Sequence, residues 1–110
     1  MNNKITVKLY ESPLKTKKYM VIFYDDKREE NKMGSPPHNP FKRVHFGAKG
    51  MSDFTIHKDE ERKERYLNRH RAREDWNDPY TAGALSRWVL WNKPTLKASW
   101  NDYKKRFGFK

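Results

Sequence analysis

Apolar and polar residues alternate in the first half of the chain in a way that is typical of β-strands. The segment 5–10 (ITVKLY) alternates strictly, which suits a strand with one buried face. The segment 17–24 (KKYMVIFY) is rich in β-branched and aromatic residues, and 41–46 (FKRVHF) repeats the pattern more weakly. These segments predict a small antiparallel sheet of two to three strands.

A long polar segment, 25–40, separates the second and third predicted strands. It contains Gly34, Pro36, Pro37 and Pro40 among many polar residues, a composition typical of loops. Loops of this length are uncommon in compact domains and are often functional. We therefore expect this loop, with the N-terminal arm, to reach a neighbouring molecule.

The second half of the chain has the spacing of apolar residues expected of helices. Three helices are predicted, each beginning next to a side chain that can accept hydrogen bonds from the first-turn amides. The segments are 59–72, 82–91 and 95–107, with Asp59, Thr81 and Thr95 as the capping residues. The chain is thus predicted to be a single α+β domain, 1–110, with a strand-rich arm (1–48) and a helical part (49–110).

Composition and charge limit the classes of function. Lysine and arginine total 25 against 14 acidic residues, a net charge of +11, and aromatic residues make up 15% of the chain. A basic chain of this kind favours an anionic partner. Cysteine is absent, which excludes disulfides and thiolate chemistry. No apolar run approaches the ~20 residues that cross a bilayer, so no transmembrane segment is expected.

Catalytic and metal-binding patterns are not found in the sequence. The four histidines, at positions 38, 45, 57 and 70, lack the spacing that places two ligands on one helix face. No nucleophile elbow, Walker loop or dinucleotide-binding fingerprint is present. We therefore predict a protein without metal, cofactor or enzymatic activity.

Five residues at the junction between the sheet and the helices form a second candidate region. They are Gly47, Gly50, Asp53, His57 and Asp59. The glycines around a lysine could present amides to a phosphate. The alternative is a structural corner, in which side chains hydrogen-bond to the backbone. We favour the structural corner, because a phosphate loop normally leads straight into a helix.

The main functional candidate is the basic helix. Its arginines are Arg62, Arg65, Arg69, Arg71 and Arg73. Spacings of three and four residues place most of them on one stripe, and the guanidinium fork suits phosphates and carboxylates. The functional interpretation is a contact with nucleic acid or an acidic protein, and the alternative is a solvated helix face.

Four tryptophans complete the list of candidate residues. Trp88, Trp91 and Trp100 recur at helical spacing and are predicted to belong to the core rather than to stack on bases. Trp76 follows two acidic residues in a predicted loop. We predict it as an interface anchor.

The run from residue 44 to residue 107 resembles a family of small basic proteins of large double-stranded DNA viruses of eukaryotes. The strings FGAKG, TIHKD, RHRAREDW, SRWVLWNKPTL and KKRF occur in order and carry the resemblance. It implies a viral context but no reaction and no catalytic residues. Synthesis in the cytoplasm of the infected host cell and incorporation into the virion are then expected.

Two functions follow from these observations. The first is a virion structural protein, a minor capsid component that contacts capsid proteins through the basic helix, the arm and the loop as part of a larger assembly. The second is a virion DNA-binding protein that uses the same helix to neutralise phosphates.

Overall fold

The computed structural model of the protein describes residues 5–25 and 40–110. Its first layer is a three-stranded antiparallel sheet in the order β1-β2-β3. The strands are β1 (Ile5–Glu11), β2 (Lys17–Asp25) and β3 (Pro40–Ala48). The register places Val7 opposite Phe23. The predicted loop lies outside the described residues except for its two ends, which belong to β2 and β3.

Four helical segments follow the sheet. They are α1 (Phe54–His57), α2 (Glu60–His70), α3 (Ala82–Leu85, continued by a π-helical turn, Ser86–Leu90) and α4 (Leu96–Phe107). The α+β class and the sheet predicted from the sequence are confirmed. The expected number of three helices is wrong because the junction contains the additional short helix α1.

The helix boundaries follow from the capping residues. Asp59 accepts hydrogen bonds from the amides of Glu61 and Arg62 at the start of α2. The hydroxyl of Thr81 accepts a hydrogen bond from the amide of Ala84 and caps α3. The hydroxyl of Thr95 caps α4 in the same way, through the amide three residues later. These three predicted caps are confirmed, since each satisfies an amide that has no partner within its own helix.

One face of the sheet packs against α3, the π-helical turn and α4. The core cluster contains Val21 and Phe23 from the sheet, Leu85 and Val89 from the helices, and Tyr103 from α4. All five are fully buried. Because apolar and polar residues alternate along the strands, one face of the sheet is apolar. The apolar sides of the helices pack on this face and remove it from water.

The C-terminal residues close the edge of the sheet. Phe109 packs into the core, and the amide of Lys110 donates to the carbonyl of Ile5. The amide of Val7 donates in return to the carbonyl of Lys110. Part of the open edge of β1 is therefore paired.

The predicted core tryptophans lie at the edge of this core. Trp88, Trp91 and Trp100 pack against the cluster, but each keeps part of its ring exposed. Large rings with a polar nitrogen often occupy such boundary positions.

Candidate functional site: an arginine-lined cleft

The corner between the sheet and α2 begins with two glycines in the left-handed conformation. Gly47 has φ +80° and Gly50 has φ +91°. At Gly47 a Cβ atom would come within 2.8 Å of Leu90 Cδ1, whereas at Gly50 it would meet open space. The amide of Lys49 donates to the carbonyl of Thr16, which joins this turn to the turn between β1 and β2.

Asp53 holds the next part of the corner. Its side chain is almost fully buried and caps α1 by accepting hydrogen bonds from the amide and the hydroxyl of Thr55. It also forms an ion pair with the ammonium group of Lys18 from β2. The corner therefore fixes α1 to the sheet through a buried charge pair with additional hydrogen bonds.

His57 and Asp59 direct the chain from α1 into α2. The amide of Asp59 donates to Nδ1 of His57 at 2.9 Å, which requires the unprotonated form of that nitrogen. Burial of the imidazole, followed by the positive charge of Arg62, lowers the pKa of His57. The ring lies 5.3 Å from the ring of Trp91, and its Nε2 is buried without a hydrogen-bond partner among the described residues.

The five candidate arginines divide into two groups. Arg62, Arg65 and Arg69 project into a cleft between α2 and the end of the sheet. Arg71 and Arg73 lie beyond α2 and do not line the cleft. The spacing of three and four residues predicts a stripe that also includes Arg73, but α2 ends at His70, two residues before the predicted end, and Arg73 does not line the cleft. Only the tertiary structure shows that the other three arginines of the stripe form one wall of a cleft.

The cleft has a volume of about 670 Å³. Its second wall carries Lys17 and Lys18 at the start of β2, and its floor contains Leu90 and Trp91. The sequence analysis missed the two lysines. They are separated from the arginines by more than forty residues, and no local pattern predicts that the start of β2 faces α2.

The two acidic side chains of the cleft have partners within the protein. Asp53 is paired with Lys18. Glu74 accepts a hydrogen bond from Nε1 of Trp76 at 3.0 Å and lies 3.2 Å from Nδ1 of His70. Neither carboxylate forms an ion pair with the arginine wall within the part of the chain that the structure describes.

Aromatic rings support the arginine wall from below. Tyr66 stacks on Trp91 with centroids 4.2 Å apart and ring planes only 5° from parallel. The centroid of the His70 ring also lies 4.2 Å from that of Tyr66. Burial of the hydroxyl, followed by the charge of Glu74, raises the pKa of Tyr66 to about 12, so this hydroxyl is neutral at physiological pH.

Trp76 is held within the fold and is half-buried. Besides the hydrogen bond to Glu74, its carbonyl accepts a hydrogen bond from Nε1 of Trp88. The guanidinium of Arg87 lies 5.4 Å from its ring centroid and 4.1 Å from that of Trp88. The predicted role of Trp76 as an interface anchor stays a prediction, with only its partly exposed ring available to a partner.

The residues that the structure describes contain no group of three or more ligand side chains that could hold a metal ion. None of the described helices combines the length and the apolar composition needed to cross a membrane.

Comparison with known proteins identifies a family but no close relative. The model of a protein family of unknown function, DUF5754, matches residues 7–70, which is more than half of the chain. No match was found among curated proteins or among solved structures. The matched residues include the corner and the arginine wall of the cleft. The chain belongs to the family of unknown function DUF5754.

Proposed function

We propose that this protein is a non-enzymatic binding protein whose cleft takes the phosphate groups of a nucleic acid. The observation that carries the proposal is the unbalanced charge of the cleft. Arg62, Arg69 and Lys17 line it without a carboxylate partner among the described residues, while Asp53 is paired with Lys18 and Glu74 is hydrogen-bonded to Trp76.

The concave shape of the site favours the interpretation of the arginines as an anion-binding surface over their interpretation as a solvated helix face. A concave surface with charges of one sign focuses the electrostatic field and raises the local concentration of counter-ions. Guanidinium groups can donate two parallel hydrogen bonds to a phosphate. The stack of Tyr66 on Trp91 fixes α2, the helix that carries these arginines. Less conformational entropy is therefore lost when a ligand binds.

The rest of the chain favours a long polyanion over a single phosphate. The net charge is +11, and Arg71 and Arg73 continue the positive surface beyond the cleft. Contacts with many phosphates release many counter-ions, which is the main source of affinity in sequence-independent DNA binding. In the viral context that the resemblance implies, the partner is packaged DNA.

The proposal is tested by duplex-binding measurements on charge-neutralised variants. The double variant Arg62→Gln/Arg69→Gln removes two cleft cations, and Lys97→Gln/Lys105→Gln removes two exposed cations of α4. Fluorescence anisotropy with a 20-base-pair duplex should show a loss of at least about tenfold for the arginine variant and less than about twofold for the lysine variant. Equal losses would assign binding to the overall charge, and no loss in either would contradict the proposal.

A second candidate function is docking to an acidic protein surface, as in a minor capsid component. The observation that favours it is the exposure of two large apolar side chains, one in the cleft and one on α1. Met51, which lines the cleft, is 65% exposed, and Ile56 of α1 is 61% exposed. Methionine and arginine are both enriched at protein–protein interfaces.

Fractionation of purified virions separates the two candidates. Particles are extracted with graded salt and detergent, and the protein is followed by mass spectrometry after cross-linking. Retention with the shell and cross-links to capsid proteins would support docking. Release with the genome by nuclease or salt would support DNA binding, and absence from the particle would contradict a role in the virion.

A further inference from the structure

The sheet has a second face, opposite the helices, whose side chains form two rows across the strands. The register places Tyr10, Met20 and His45 in one row and Lys8, Ile22 and Arg43 in the next. We call these six residues the outer face. None of its apolar side chains belongs to the core cluster formed by the sheet and the helices.

An aromatic side chain dominates the first row. Tyr10 is 42% exposed, and its hydroxyl is hydrogen-bonded to that of Tyr24. The two tyrosines lie on either side of Ile22, which is only 9% exposed. A ring fixed in this way on a flat strand surface offers a face for stacking at little entropic cost.

The charges on the outer face all have the same sign. Lys8 and Arg43 flank Ile22 on the two neighbouring strands, and both are exposed. Nδ1 of His45 lies 2.8 Å from the hydroxyl of Ser12, which fixes the imidazole at the end of the other row. No acidic residue occupies either row, so the surface is complementary to an anion.

The outer face adjoins the cleft. Lys18, which lines the cleft, precedes Met20 by two residues on β2. Two residues of a strand span about 7 Å, so the first row of the outer face begins one row from the cleft. A chain of phosphates leaving the cleft therefore meets further cations without crossing an acidic region.

We propose that the outer face binds single-stranded nucleic acid, with one base stacked on Tyr10 and the adjacent phosphates contacted by Lys8 and Arg43. Exposed rings combined with a cationic surface are the usual elements of single-strand binding. A duplex cannot use the ring, because its bases are stacked on one another. This inference rests on the proposed function in taking nucleic acid as the partner, and it adds the strandedness and the second surface.

The test compares single-stranded and duplex ligands on the full chain. Fluorescence anisotropy is measured with a 12-nucleotide oligo(dT) and with a 12-base-pair duplex. Tyr10→Ala should weaken oligo(dT) binding by about 5- to 100-fold, the range expected for the loss of one stacked base. Tyr10→Phe should lose much less affinity than Tyr10→Ala, because the ring remains and only the hydroxyl contact with Tyr24 is removed. Both variants should bind the duplex within about twofold of the wild type.

A second pair of variants keeps the test independent of any effect of Tyr10 on folding. Lys8→Gln/Arg43→Gln removes the two cations of the second row, and Lys97→Gln/Lys105→Gln is the matched control on α4. The first pair should weaken oligo(dT) binding and the second should not. Photo-cross-linking of an oligonucleotide containing 5-iodouracil should label the peptide that carries Tyr10. Thermal unfolding confirms that each variant is folded.

Several results would overturn the inference. Unchanged oligo(dT) affinity in Tyr10→Ala, equal losses in Tyr10→Ala and Tyr10→Phe, or an equal loss for the duplex would each do so. A dimer that Tyr10→Ala dissociates without changing oligo(dT) affinity would assign the face to a second copy of the chain. Arg62→Gln/Arg69→Gln reports separately on the cleft. A loss of duplex binding there, with no effect of Tyr10→Ala on either ligand, would support the cleft and reject the outer face.

Discussion

The carboxylate of Asp53 is almost completely buried and accepts hydrogen bonds from three donors. Its partners are the ammonium group of Lys18 and the amide and hydroxyl of Thr55. A buried carboxylate is favourable only when its hydrogen bonds are satisfied, and removal of one member of a buried charge pair leaves the other unpaired. The stability of the corner should therefore depend strongly on this one side chain.

We predict that Asp53→Ala lowers the free energy of unfolding by about 3 kcal/mol or more, because it leaves Lys18 unpaired and α1 uncapped. Asp59→Ala is the matched control, since it removes an exposed cap and should cost about 1 kcal/mol. Urea denaturation monitored by tryptophan fluorescence measures both values. Equal costs for the two variants would show that the buried pair contributes nothing beyond capping.

His57 gives the corner a dependence on pH. Because burial of the ring lowers its pKa below 6.5, the folded chain holds the neutral imidazole more tightly than the unfolded chain does. The stabilisation is complete above pH 6.5 and is lost as the pH falls through that value toward the lower pKa of the folded state. Protonation also removes the acceptor for the amide of Asp59.

We predict that the stability advantage of the wild type over His57→Asn decreases between about pH 7.5 and pH 5.5. Asparagine can still accept the hydrogen bond from Asp59 but does not titrate. The other histidines are present in both proteins, so their titration cancels in the difference. Chemical denaturation at a series of pH values gives this difference, and a value that stays constant or rises toward acid pH would contradict the prediction.

At the scale of the elements, α2 is attached to the rest of the protein by few contacts. Leu67 is its one buried residue, and Tyr66 stacks on Trp91. Lys63 donates to the carbonyl of Asn92 at 2.8 Å. These contacts fall on one side of the helix, which leaves the arginine stripe free to face the cleft.

We predict that Tyr66→Ala lowers the free energy of unfolding by about 2–3 kcal/mol, because the stacked ring is replaced by a cavity. Tyr66→Phe keeps the ring and loses the hydrogen bond between the hydroxyl and Ser86, at a cost of about 1 kcal/mol. Hydrogen exchange of the α2 amides should accelerate in the alanine variant more than in the phenylalanine variant. Equal acceleration in both would show that the hydroxyl, and not the stack, holds α2.

The elements that could be predicted from the sequence are those with local signals. Asp59, Thr81 and Thr95 mark their helices because a capping side chain acts within three residues of its own position. Helix α1 was missed because four residues are too short to show an apolar period, although Asp53 and the following Thr55 supply its cap. The π-helical turn likewise has no distinctive residue pattern.

The candidate site could be predicted only in part. The arginine stripe follows from helical spacing, but the cleft requires Lys17 and Lys18 to lie across from α2. Their position depends on the antiparallel register and on the chain reversal at Gly47 and Gly50, which bring distant segments together. Such long-range packing has no local signal in a single sequence.

At the scale of the whole molecule, the question is whether nucleic-acid binding follows from the total charge or from the cleft. The net charge of +11 attracts any polyanion at low salt, and exposed charges are screened beyond about 8 Å at physiological ionic strength. Charges in direct contact with phosphates act differently, because each contact releases condensed counter-ions from the nucleic acid. The salt dependence of binding separates these two contributions.

We predict that the slope of log K against log salt for duplex binding becomes shallower by about 1.8 in Arg62→Gln/Arg69→Gln, since each phosphate contact contributes about 0.9. Lys97→Gln/Lys105→Gln lowers the net charge by the same amount on α4 and should leave the slope unchanged. Anisotropy titrations between about 50 and 200 mM salt measure both slopes. A common decrease in the two variants would mean that the duplex contacts the basic surface without preference, whereas a decrease confined to the arginine variant would place at least two phosphates in the cleft.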